Sequence, residues 1–279
     1  MAFDRRSSVL FGACLFAFAT PATAQERIRD NLFLLEEAYN QEPGVIQHIS
    51  LFQMVPRTRE WSYSFTEEWP VPTDRHQLSV TLQMSGPPDH GRASFGDLLL
   101  NYRLQVLGIG GTGPVAMAPR LSLVLPTGSA ERGTGRGAIG VQLNLPVSIE
   151  VGPYFVFHLN AGMTVTPSAH APGLRTETAL DASAGMALVS QPLSWLNPLV
   201  EVSYLDQEEL TAAGSHRVRS ITVSPGLRAA IDVSPIGLQI VPGVAVPFTM
   251  TPAAERGTGV IGYLSFEHPA FSAGPGAER

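Results

Sequence analysis

Polar and apolar residues alternate one by one along much of this chain. Between residues 76 and 84, Leu78, Val80, Leu82 and Met84 share one face, and Gln77, Ser79, Thr81 and Gln83 share the other. A period of two is the mark of a strand whose two faces meet unlike surroundings. The pattern returns between 97 and 106, where Leu98, Leu100, Tyr102, Leu104 and Val106 oppose Asp97, Leu99, Asn101, Arg103 and Gln105. It recurs at 141–150, 157–164, 180–188, 200–204 and 221–232. Most of these segments have about the 9 to 11 residues with which a tilted strand crosses a bilayer. Weaker candidates at 45–55, 60–69, 114–125, 238–249 and 259–268 bring the number to about twelve, and an even number suits a closed bacterial barrel. The fold class predicted is therefore all-β, a closed antiparallel transmembrane β-barrel.

The connections give an independent test. If the chain starts in the periplasm, that side receives the short turns at 70–75, 108–113, 152–153, 191–195 and 234–237. The opposite side receives 85–96, 127–137, 167–178, 206–219 and 251–258, which, apart from a first loop near 55–58, are longer and richer in charge. Short turns alternating with long loops is the outer-membrane pattern. Pro119, Pro146, Pro225, Pro242 and Pro247 fall inside proposed strands, where they cannot donate to a ladder, so bulges or rims are expected around them.

Residues 1–24 read as a secretory signal, with Arg5 and Arg6, an apolar run over 9–18 and a small-residue end at Ala22-Thr23-Ala24. Gln25 is then the mature start, residues 45–271 form the barrel and 272–279 a disordered tail. No later stretch has the ~20 uninterrupted apolar residues of a spanning helix. The lone Cys14 lies in the leader, which excludes disulfides and thiolate chemistry from the mature chain. Charged residues make up only 15% of the chain, low against the ~25% of soluble domains. All basic residues other than histidine are Arg, acidic residues outnumber them, and no basic patch favours nucleic acid.

Candidate chemistry is sparse. The run Gly108-Ile-Gly110-Gly-Thr-Gly113 matches a dinucleotide fingerprint, but Pro114 and Pro119 follow where a helix would begin, so it reads as a turn. Asp181-Ala-Ser183-Ala-Gly185 lacks the first glycine of a nucleophile elbow and lies in a strand. A pairing of His158 with Ser183 across neighbouring strands is the one hydrolase arrangement the order allows. The seven histidines show no metal-ligand spacing, so no metal, cofactor or catalytic residue is expected. Charge at mid-strand is costly toward lipid, by roughly 2–4 kcal/mol for Arg. The alternation therefore assigns a lumen lining of Asp97, Asn101, Arg103, Arg120, Gln142, Asn144, Glu150, His158, Asp181, Glu201, Arg228 and Asp232. Residues 25–44 carry Leu32, Leu35 and Tyr39 opposite Glu36, Glu37 and Asn40 at helical spacing, which suits a short periplasmic helix or an inward plug, with a disordered lead as the alternative.

The stretches NLFLLEEAYNQEPGVIQHI at 31–49, FGDLLLNYR at 95–103, PRLSLVLPTG at 119–128, SPGLR at 224–228 and GYLSFEHP at 262–269 resemble the outer-membrane barrels grouped with the meta-pathway phenol-degradation proteins. The resemblance implies a barrel and uptake of small organic solutes; it carries no functional residues over. The function expected is a passive, non-enzymatic channel for small organic, aromatic or apolar solutes. Its partners would be outer-membrane lipid, lipopolysaccharide, the solute and the barrel assembly machinery. The alternatives are a structural or adhesion barrel with a closed lumen, and an outer-membrane lipid hydrolase.

Overall fold

The computed structural model describes residues 28–270 except 29, 88–91, 110–111, 171–175, 212–213 and 253–255. The leader, the cleavage site and the 272–279 tail lie outside the described residues. The strands in chain order are β1 (Val45–Val55), β2 (Glu60–Pro70), β3 (His76–Gly86), β4 (Ser94–Phe95), β5 (Leu98–Leu104), β6 (Val115–Met117), β7 (Arg120–Leu125), β8 (Gly140–Val151) and β9 (Phe155–Ala169). They continue as β10 (Glu177–Ser190), β11 (Leu196–Thr211), β12 (Gly214–Ala229), β13 (Ile231–Val233), β14 (Leu238–Ala245), β15 (Phe248–Met250), β16 (Arg256–Thr258) and β17 (Val260–Pro269). Five staves are built from two pieces each, namely β4 with β5, β6 with β7, β12 with β13, β14 with β15 and β16 with β17. Twelve antiparallel staves result, each paired with the next. The last returns to the first along ten residue pairs, from Val45 opposite Pro269 to Met54 opposite Val260, so the sheet has no free edge.

The two faces separate as the alternation predicts. Leu78, Leu82, Leu121, Leu143, Phe157, Leu159 and Ile221 stand exposed on the outside, a contiguous apolar belt that only lipid or detergent would cover. Residues of the alternate positions, among them Gln77, Ser79, Asn101, Arg103, Ser122, His158 and Ser224, are buried inside.

Pro119 and Pro247 mark where staves break, whereas Pro146, Pro225 and Pro242 lie within the continuous strands β8, β12 and β14, opposite Asn160, Val200 and Leu264. Pro119 separates β6 from β7, and beside it the Ala118 amide donates to the carbonyl of Pro146. Pro247 separates β14 from β15, with Pro225 accepting from the Val246 amide on one side and Gly259 donating to Pro247 on the other. The breaks thus line up across neighbouring staves, so a missing N–H on one strand faces an interruption rather than an intact ladder.

Two expected loops are corrected. The 206–219 loop is a hairpin in which β11 and β12 stay in register, from Asp206 opposite Arg219 to Thr211 opposite Gly214. On its outward face Asp206 accepts from Arg217 Nε at 2.7 Å and from Arg219 Nε at 3.3 Å. Its charges pair across strands, which carries the ladder beyond the apolar belt. The loop expected at 167–178 shortens for the same kind of reason, since β9 and β10 pair as far as Ala169 opposite Glu177.

Candidate functional site: an occluded lumen

The barrel interior is filled from within by the segment that precedes β1. Residues 28–44 form no α-helix; they run irregularly through the lumen, entering and leaving at the end that carries the short turns. The helix reading of this segment fails because its polar atoms bond to the barrel wall all round instead of to one another.

The contacts go around the barrel. Arg228 of β12, buried, donates to the carbonyls of Asp30 and Asn31 and to Glu37 Oε1 at 2.8 Å. Asp30 accepts from Gln47, Tyr263, Ser265 and its neighbour's amide. The Leu34 and Leu35 amides donate to Glu201 Oε1 at 2.8 and 3.0 Å. Glu36 is gripped by Arg120 at 2.6 Å and accepts from Asn144 at 2.8 Å, while Asn160 accepts from its amide. On the way back the Ala38 amide donates to Ser148, Asn40 to Gln105 and Gln41 to Gln77, each at 2.8–2.9 Å. Arg103 donates to the carbonyls of Glu37 and Tyr39 and pairs with Glu68 at 3.3 Å. A chain without helix or sheet must satisfy its backbone groups elsewhere, and here wall side chains do so.

The wall is not polar all round. Ile49, Val156, Val189, Leu199, Val241 and Ile261 point inward and pack with Ile28, Leu32 and Phe33 in one buried cluster. Gly226 and Gly243 leave room for the Phe33 ring, since a Cβ there would meet it at 2.7 and 2.6 Å. Facing this apolar side, staves β3 to β8 present Gln77, Asn101, Arg103, Gln105, Ser122 and Ser148.

Two carboxyls of the segment are shifted. Burial would raise Glu36, but the Arg120 guanidinium outweighs it and holds the group below its ordinary value of 4.5. Asp30 goes the other way, raised by burial despite the Arg228 charge and its own donors.

A second, smaller closure sits at the loop end. The connection 126–139 folds over the mouth, where Asp97 accepts from the Gly128 amide at 2.9 Å and from the Arg136 amide at 3.0 Å. The Arg136 side chain reaches across to Asp181 at 3.2 Å and to the Glu208 carbonyl at 2.6 Å.

Of the residues expected to line the lumen, Arg103, Arg120, Asn144, Glu201 and Arg228 bond the segment directly. Asn101 and Gln142 hold Arg120 from the wall, each accepting from it at 2.9 Å. Asp97 and Asp181 hold the loop, and Glu150 lines a small cavity beside Ile28, Tyr39 and His158. Asp232 stands apart, exposed at the turn end and accepting from Gln239. His158 pairs with Ser148 at 2.8 Å rather than with Ser183, and both are buried beneath the segment. Gln47, Gln77, Gln105, Ser148 and Asn160 also bond the segment or its anchors, and in the sequence their uncharged side chains give only the polar half of an alternation. The inward apolar residues break that alternation and so leave no signal in it.

No family model matches the chain, and no curated protein matches it. Among solved structures, an outer-membrane channel from Pseudomonas putida F1 matches with a TM-score of 0.62 at 11% identity, covering 83% of this chain and 97% of its own. The transport unit of the autotransporter AIDA-I from Escherichia coli reaches a TM-score of 0.42 at 9% identity, covering 85% of this chain and 94% of its own. The fold is that of an outer-membrane β-barrel.

Proposed function

We propose that this chain is an outer-membrane channel for passive entry of small organic solutes, closed at rest by its own N-terminal segment. One observation carries the reading: residues 28–44 fill a closed barrel through bonds to its wall, with both ends of the segment at one mouth. A segment so placed can withdraw without unfolding any stave. Withdrawal would leave a path with an apolar strip, Ile49 to Ile261, opposite a polar wall, a lining suited to compact solutes with one greasy and one polar face. The resemblance to the phenol-degradation grouping supports that solute class, and the likeness to a Pseudomonas outer-membrane channel supports a channel of this fold. Export by residues 1–24, placement of the short turns in the periplasm, and the absence of enzymatic activity belong to this reading.

Liposome flux of small phenolic and aliphatic solutes tests it. The whole chain should pass them slowly and a chain lacking residues 28–42 quickly, with phenolics favoured over sugars of similar size. Equal, negligible flux from both chains, each confirmed as a folded barrel, would instead assign a structural barrel.

A further inference from the structure

Closure of the barrel brings together two histidines that stand 220 residues apart in the sequence. His48 of β1 and His268 of β17 place their Nε2 atoms 3.0 Å from each other. Both face outward near the turn end, since His48 shares its side of β1 with Ser50 and the exposed Phe52. His268 Nδ1 lies 3.0 Å from the Pro269 carbonyl oxygen, which can only accept, so that nitrogen carries the proton. Glu67 of β2 sets a carboxylate oxygen 3.6 Å from His48 Nδ1, which favours a proton on that nitrogen too. With both Nδ1 atoms so engaged, the two Nε2 lone pairs converge on one point, where a cation can take the place of the proton that the two nitrogens otherwise share. Phe65 stacks on the His48 ring at 6.2 Å and 16°, holding it in place.

We propose that His48 and His268 bind a divalent transition-metal ion of the imidazole-preferring kind, such as Zn2+ or Cu2+. With metal–nitrogen distances of about 2.1 Å, the present separation corresponds to an angle at the metal of roughly 90°, and a spread of a few tenths of an ångström reaches a tetrahedral one. Glu67 and the Pro269 carbonyl supply the outer contacts that usually fix metal-bound imidazoles. His48 keeps 29% of its side chain exposed, leaving room for water to complete the coordination. The ion would tie the first stave to the last. On the inner side of the same seam, Gln47 and Glu267, the neighbours of His48 and His268, bond each other and Gln41 of the segment. The site therefore reinforces the closure on which the filled lumen depends.

Equilibrium dialysis of the untagged, signal-free chain in detergent at neutral pH, with Zn2+ as the probe, tests this. One ion per chain should bind, and its presence should raise the unfolding temperature. His268→Ala and His48→Gln should each weaken binding at least tenfold and Glu67→Gln by a smaller factor, while His216→Ala, in the loop-end hairpin, should change nothing. Heat-modifiable gel migration confirms that each variant is folded. No saturable binding by the parent chain, or unchanged affinity in the folded His268→Ala or His48→Gln chain, overturns the proposal.

Discussion

The lumen is closed twice, and the two closures are built differently. The N-terminal segment is bonded around nearly the whole barrel and seats Phe33 in an apolar wall, with Arg103, Arg120 and Arg228 as its polar anchors. The 126–139 loop crosses the mouth on fewer contacts, chiefly Asp97 below it and Arg136 reaching from it. Many shared contacts make release cooperative and rare, whereas few make it local and frequent. In the proposed channel the segment would then set whether the path is open, and the loop what reaches it.

Breaking the strongest anchor should show this most clearly. Arg228→Ala removes the guanidinium that pairs with Glu37 and leaves two carbonyls in a buried site without their donor, a loss on the order of 3–5 kcal/mol. It should shift the segment toward release, seen as faster amide exchange at 30–37 and higher flux. A weaker effect is expected at the other mouth. Asp97→Ala removes two charge-assisted bonds worth about 1.5–3 kcal/mol each. It should free the loop to proteolysis between 127 and 137, yet raise flux only when the segment is also deleted. A large rise in flux from Asp97→Ala alone would reverse the assigned roles.

The smallest effect concerns pH. Because the docked Glu36 carboxyl lies below its ordinary value of 4.5, its contribution is fully present above that value and is lost as pH falls through the lower, docked one. Loss of the Glu36 contribution should accordingly show as a rise in flux through the whole chain in acid, below about pH 4.5. Glu36→Gln should flatten that rise. A rise centred near neutrality would place the responsible group elsewhere.

Much of this architecture was legible in the sequence, and the exceptions share a physical cause. Staves β8 to β12 stood out because small polar residues such as Asn144, Asn160, Ser203 and Thr222 alternate with large apolar ones. Staves β1, β14 and β17 were weaker because Ile49, Val241 and Ile261 face inward to meet Phe33, so both faces of those strands are greasy. Arg103, Arg120, Glu201 and Arg228, charged at polar positions of the alternation, bond the segment from the wall, and no local pattern discloses that partner. The segment they bond shows helical spacing at Leu32, Leu35 and Tyr39 and folds without a helix, because the wall outcompetes its internal hydrogen bonds. The hairpin at 206–219 looked like a loop since cross-strand pairing of Asp206 with Arg217 and Arg219 leaves no mark in local composition. The His48–His268 pair is invisible to any spacing rule, being a product of barrel closure.

The most direct test of the central claim is single-channel conductance in planar bilayers, comparing the whole chain with one lacking residues 28–42. If the segment closes the lumen, the whole chain stays mostly shut with brief openings, and the shortened chain conducts steadily at the level of those openings. Identical conductance and open time in the two chains would mean that the segment does not close the path.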